Sequence, residues 1–464
     1  MLRRLAIGAG ICSAVLFVVI GLRYGLQLYG DGALFSYAVA AQDAWAFHWH
    51  NISGRATVYL FTMAPAEIFV ALTGSPAAGV FVYGLLFFAY PLLGLIATYA
   101  ADRSQGRVFF TYACFSTAAL CPLVFGFPTE MWLARSLFWP ALALAHYARP
   151  GVAGTALVFA AMLALVFTHE GAIVIAAAIV ATLLLRGPRG RLFMRGLGVL
   201  AAALAIRLAV KLILPPGPYF EGVFERAALG FFDPAILMSG LVLILAGALA
   251  VYGVVFVVLE RFTPGRAHIH AAAFVALALV AYWLSLDHSL HAANRYYMRT
   301  ALFVATLILG LLASLYALRA DGEFDLALLD RLESGVTTRA VAGAFMLVML
   351  IHAVETAKFI SAWIEYKAAV AALATGEASD PSLGDPRFVS SERIGADLNR
   401  LSWNSTTLYL SVILAKFAPA RLVVDPTGNY FWLSCKTATA SFNASRAVPA
   451  PARDLLRAYA CLHR

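Results

Sequence analysis

Long apolar runs broken by short polar punctuation dominate this chain, and they predict helices that are hydrophobic all round rather than on one face. A bilayer's hydrocarbon layer, about 30 Å thick, takes roughly 20 apolar helical residues to cross. Eleven runs answer to that description: residues 5–22, 77–101, 108–125, 131–148, 152–168, 171–185, 196–214, 236–259, 268–286, 300–318 and 340–358. The first follows Arg3 and Arg4 as a signal peptide's core would. No small-residue cleavage site comes after it, so it reads as an anchor.

One further hydrophobic segment, Ala56 to Thr73, contains Pro65 and Glu67 and is separated from the next run only by Gly74, Ser75 and Pro76. If it crossed, Arg103 and Arg107 would be exported. It is therefore expected to lie in the interface or to re-enter on the outer face, which makes the first external loop long, residues 23–76.

With 62% hydrophobic and 13% charged residues, the chain has more apolar surface than one soluble core can hide, so the class is an α-helical polytopic membrane protein. Its net charge of +9 is not a nucleic-acid signal, because the cations sort by loop. Arg3, Arg4, Arg103, Arg107, Arg149, Arg186, Arg189, Arg191, Arg195, Arg261, Arg266, Arg319, Arg331 and Arg339 share one side; Arg23, Arg55, Arg226, Arg295 and Arg299 fall on the other. Short cytoplasmic loops accumulate Lys and Arg. The expected placement is the inner (cytoplasmic) membrane, with the N-terminus cytoplasmic and the C-terminus periplasmic.

Composition changes near Lys358, which suggests a division into a transmembrane domain, 1–358, and a small α/β extracytoplasmic domain, 359–464. In the latter a helix is expected over Asn404 to Phe417, capped by Asn404, Ser405 or Thr406. Strands are expected at Arg421 to Val424 and Tyr430 to Cys435, and a closing helix at Ala452 to Leu462. Cys12, Cys114 and Cys121 sit in apolar runs as packing residues, whereas Cys435 and Cys461 share the exported tail and can bridge there. There is no internal repeat.

Candidate chemistry gathers on the outer side. Asp31 follows Gly30 and precedes a helical run, Ala33 to Phe47; it is suited to capping that helix and, as a carboxylate, to taking a proton from an acceptor hydroxyl. Asp43 lies three turns on, where a solvated face is the plain alternative. His48 and His50 flank Trp49, the composition of an interfacial anchor, with metal ligation the alternative. His169 and Glu170 are adjacent between two apolar runs, which is costly unless they are paired or used. Arg207 and Lys211 share a helix face and can snorkel; Glu130 and Arg135 can pair with one another. The densest basic constellation is Asn294, Arg295, Tyr296, Tyr297 and Arg299, where guanidinium forks suit a lipid phosphate and a charged aromatic belt is the alternative.

Taken together, an early span followed by GDGALFSYA, a lying segment, the basic turn DRSQGR, an outer HE pair and an outer NRYYMR resemble the membrane glycosyltransferases of the GT-C superfamily. The resemblance implies an inverting transfer of a glycosyl group from a polyprenyl-phosphate-linked donor to a glycan or lipid acceptor at the outer face. Asp31 matches the family's first-loop acid, and Arg295 with Tyr296 its late Arg-Tyr element. Arg299 and Lys211 would assist at the donor phosphate, while Asp43, Arg55, His169 and Glu170 would be further active-site residues. Gly32 stands where a second acid often follows, and Ala64 and Pro65 where a Pro-Pro element often stands. Both departures leave a divalent metal open, and no residues are assigned to one. The alternative functions are a lipid or polysaccharide transporter or flippase, and a non-catalytic envelope assembly protein.

Overall fold

The structure is a computed structural model that describes residues 1–47, 52–120, 130–215, 240–286, 296–323, 329–330, 334–376, 383–403, 406–425 and 447–462. Each of the eleven expected runs coincides with a helix. In chain order these begin with α1 (Leu2–Tyr24), and the first external loop then adds α2 (Asp31–Ala40) and α3 (Ser53–Thr73). The bundle continues with α4 (Pro76–Ala101), α5 (Val108–Leu120), α6 (Met131–Tyr147), α7 (Val152–Val166), α8 (Ala172–Arg186), α9 (Arg191–Ile213), α10 (Gly240–Phe262), α11 (Ala267–Ser285), α12 (Tyr296–Ala320) and α13 (Gly335–Thr375). Among the described residues eight segments are long and apolar enough to cross a membrane, and α5, α7 and α8 are shorter apolar helices. The protein is a helical multi-pass membrane protein.

Local chemistry sets the helix ends. Gly25, at φ 63°, closes α1 in the left-handed conformation that costs glycine nothing. Ser75 caps α4 by accepting the Ala78 N–H, with Pro76 in the first helical position, and Ser334 caps α13 by accepting the Thr337 N–H. Consecutive helices alternate in direction, which gathers the arginine-bearing turns at one end of the bundle. There the Gln105 N–H donates to Asp321, Tyr147 donates to the same carboxylate, and Arg186 reaches both Asp321 and Glu323.

The segment α3 has the length of a span, yet both of its ends belong to the other end of the bundle. Ser53 donates to the Leu214 carbonyl just past α9, and Thr57 bonds twice to the close of α7, through Phe167 O and Ala164 O. Its last turn runs through Gly74 into the start of α4, where Val70 packs on Gly79. Its opening turns and its close thus both contact that end of the bundle. A π turn at Tyr59–Met63 precedes Pro65, whose missing N–H disrupts the regular ladder.

The helix foreseen over Ala33 to Phe47 needs correction, because it breaks after Ala40: Gln42 takes φ 55°, and Ala44–Phe47 forms a separate turn. The chain that follows Lys358 continues α13 as far as Thr375 and leads into the C-terminal region. Its elements are β1 (Phe388–Ser390), α14 (Thr407–Leu414), β2 (Leu422–Val424) and α15 (Ala450–Leu462). The strand at β2 was expected, but its parallel partner is β1, upstream of α14; Tyr430 to Cys435 lies outside the described residues. One continuous apolar core takes in α2, α13, α14 and both strands. Cys461 is disulfide-bonded and Cys12 and Cys114 are free thiols, while Cys435 lies outside the described residues.

Candidate functional site

Asp31 opens α2, but the cap position is Gly30, and this corrects the expectation that Asp31 caps the helix. Gly30 holds φ 60° and ψ −134°, a conformation that in practice only glycine adopts. The backbone therefore leaves Tyr29 at a sharp angle, and Asp31 becomes the first helical residue, half-buried.

Beside Asp31 stands a buried chain of alternating charges. Arg55, in the first turn of α3, ion-pairs with Glu130 at the head of α6, and its other terminal nitrogen lies 3.3 Å from Glu170 between α7 and α8. Arg207 of α9 takes the remaining Glu170 oxygen at 3.5 Å and also donates to the Val166 carbonyl, so that a cation meets the C-terminal end of α7. His169 accepts the Gly171 N–H on Nδ1 at 3.0 Å, which leaves the Nε2 proton facing Glu170 at 3.6 Å. Asp31 enters this set through electrostatic contact with Arg55, and the fully buried Tyr83 of α4 faces both Asp31 and Glu130.

Burial alone would raise the Glu170 carboxyl. Arg55, His169 and Arg207 outweigh it and hold that group down at about 2, so Glu170 is a permanent anion there. Asp31, Glu130 and Glu170 stand against Arg55, Arg207 and His169, so carboxylates and basic groups alternate in equal number across the set.

One turn deeper, Arg135 donates to Thr306 at 3.1 Å and to Ser116 at 3.3 Å, and its guanidinium lies over the Trp132 ring. Beside it is a cavity of about 20 Å³, room for one water. Glu130 was expected to pair with Arg135; the bond the structure shows is to Arg55, 75 residues away in sequence.

The other candidates separate from this cluster. Asp43 follows the break in α2, at the far end of a ten-residue helix from Asp31, and sits near Tyr37 and Glu67 rather than on a solvated helix face. Glu67 secures that corner by accepting the Ala44 N–H at 2.7 Å and the Tyr59 hydroxyl at 3.1 Å. Lys211 is exposed one turn beyond Arg207. Arg295, His48 and His50 lie outside the described residues, and Tyr296 and Arg299 belong to the opening of α12. Among the described residues no group of three His, Cys, Asp or Glu could hold a metal ion.

What sequence reasoning missed was Tyr83 and the contribution of the C-terminal region. Trp403, just before α14, packs its indole on Gly30, and Tyr409 of α14 lies 5.2 Å from Tyr37. The available signal was the aromatic content of WNSTTLYL, which does not say what the rings cover. Compared with known proteins, the chain matches no family model, no curated protein and no solved structure.

Proposed function

We propose that this protein transfers a glycosyl group, with inversion, from a polyprenyl-phosphate-linked donor to a hydroxyl acceptor at the outer face of the inner membrane. The observation that carries the reading is the placing of Asp31: a half-buried carboxylate in the first turn of α2, at one end of an apolar bundle, within electrostatic reach of the buried Arg55 and beneath the C-terminal region. A neighbouring cation favours the ionised carboxylate that a general base must be. Asp31 takes the proton of the acceptor hydroxyl while the acceptor oxygen bonds to the anomeric carbon. The bond from that carbon to the phosphate oxygen breaks, and its electron pair leaves with the polyprenyl phosphate. The charge growing on that phosphate is assigned to Arg295, with Arg299 and Lys211 in support. The exposed apolar side chains of α3, among them Leu60, Phe61, Ile68 and Leu72, would lie against the lipid chain.

The test is Asp31→Asn in the purified protein in lipid nanodiscs, assayed with a panel of polyprenyl-phosphate sugars. Asn matches the shape of Asp and cannot accept the proton. The variant should insert and fold normally and lose transfer by roughly a hundredfold or more. Full transfer by that variant would remove Asp31 from the mechanism.

Transport is the second reading, and one observation favours it. His352 and Glu355 of α13 are buried inside the bundle, where Glu355 accepts Trp283 Nε1 at 3.0 Å and Lys358 Nζ at 3.2 Å. Ionisable groups at such depth often line a path. Lipid scrambling by reconstituted protein that depends on Glu355, together with no effect of Asp31→Asn, would move the assignment to transport.

A further inference from the structure

The Tyr29–Gly30 corner that aims Asp31 is held from two sides by elements far away in sequence. On one side Tyr29 meets Phe359 and Trp363 of α13 edge to face, at 5.0 and 5.4 Å between ring centroids. On the other, Trp403 of the C-terminal region lies 6.4 Å from Tyr29 and closes directly on Gly30. A Cβ at Gly30 would stand 3.0 Å from Cε2 and 3.1 Å from Cζ2 of that indole. A side chain there would press on the indole, which would have to give by a few tenths of an ångström, over and above the backbone angles that already favour glycine.

Trp403 is itself fixed. Its carbonyl accepts the Thr406 and Thr407 N–H groups at 2.8 and 3.0 Å and the Thr407 hydroxyl at 2.9 Å, so it is the anchor of the first turn of α14. Two turns further along α2 the same region meets the helix again, through Tyr37 against Tyr409. Two contacts, Trp403 on Gly30 and Tyr409 against Tyr37, thus tie α2 to a segment more than 350 residues downstream.

We propose that Trp403 is a positioning residue for Asp31: its indole clamps Gly30 in its left-handed conformation and so sets the direction in which the Asp31 carboxylate projects. The C-terminal region is in that case a working wall of the site. The proposal rests on Asp31 being the functional acid of the reading above, but the clamp itself can be tested without any transfer assay.

The experiment uses the full chain carrying Asp31→Cys, alone and combined with changes at Trp403, in nanodiscs. Alkylation by a membrane-impermeant maleimide is followed against pH, with labelling of the parent subtracted. A thiol held at a helix N-terminus beside an arginine reacts as a thiolate well below the ordinary value of about 8.5. With Trp403 present the profile should turn below that value. Trp403→Ala should move it up by about one pH unit or more, and Trp403→Phe should recover most of the shift. If Trp403→Ala does not insert, Trp403→Leu replaces it, since leucine keeps apolar bulk without the flat ring. In the otherwise native chain Trp403→Ala should lower the turnover number about tenfold with little change in donor KM, the sign of a misaimed base. An unchanged thiol profile in both the Ala and Leu proteins overturns the clamp, whatever the transfer assay returns. A shifted profile with full transfer by Asp31→Asn leaves the clamp standing and sinks the transferase reading instead.

Discussion

The two ends of this bundle both collect charge, and they use it differently. At the arginine-rich end two of the pairs reach well-exposed carboxylates: Arg319 meets an Asp330 that is 63% exposed, and Arg186, which also reaches the more buried Asp321, meets a Glu323 that is 46% exposed. Much of the cationic charge there ends on helix carbonyls, as where Arg195 donates to Ala145 and Ala148 at the close of α6. At the opposite end Arg55, Glu130, Glu170 and Arg207 are each 12% exposed or less and come from four different elements. Charges at the first end finish helices and mark a side of the membrane. Those at the second end are desolvated as a network, at a cost that a purely structural fold has little reason to meet.

The comparison first needs its sides. If the arginine-rich end is cytoplasmic, a reporter inserted after Arg189 should read as cytoplasmic and one fused after Arg464 as exported, an all-or-none difference. Both reporters on one side would break the odd number of crossings on which the outer placement of Asp31 depends.

Next in size is the loss of a buried partner. Arg55→Ala strands Glu130 and leaves Glu170 with less compensation, and uncompensated buried charges typically cost about 3–5 kcal/mol. The measurement is the unfolding midpoint in detergent. A loss under about 1 kcal/mol, the range of exposed pairs, would show that the network is wetter than its burial implies.

How much of this was legible in the sequence follows from what each feature depends on. The apolar helices were, because length and apolarity are properties of one continuous segment. The break in α2 was not: Ala, Val and Gln all tolerate a helix, and it is tertiary contact that turns the chain at Gln42. The acid at Asp31 could be found, but the cap at Gly30 could not, and neither could the indole that packs on it, which comes from residue 403. Arg55 and Glu130 were each visible as isolated charges. Their pairing joins residues 75 apart, and spacing along a chain carries no information about that.

Acid should separate the ends more gently. The Glu170 carboxyl lies at about 2 in the folded protein against 4.5 ordinarily, so the unfolded chain binds the proton more readily than the folded one. Its stabilisation is complete above about pH 4.5 and is lost as pH falls through about 2. By pH 3.5 part of that stabilisation is already gone, on the order of 1 kcal/mol. Comparing midpoints against pH for the native chain and Glu170→Gln isolates this part, and parallel curves from pH 6 to 3 would contradict the ion pairing.

The smallest expected effect lies at the other end, and it is the control that gives the contrast meaning. Arg319 pairs with Asp330 on a wet turn, and exposed pairs contribute about 0–1 kcal/mol because solvent and salt screen them and long side chains resist being held. Arg319→Ala should therefore shift the midpoint by less than about 1 kcal/mol and respond to added salt only weakly. If it cost as much as Arg55→Ala, exposure would not be what distinguishes the two ends. The buried chain beside Asp31 would then lose its claim to be a site rather than another set of helix fastenings.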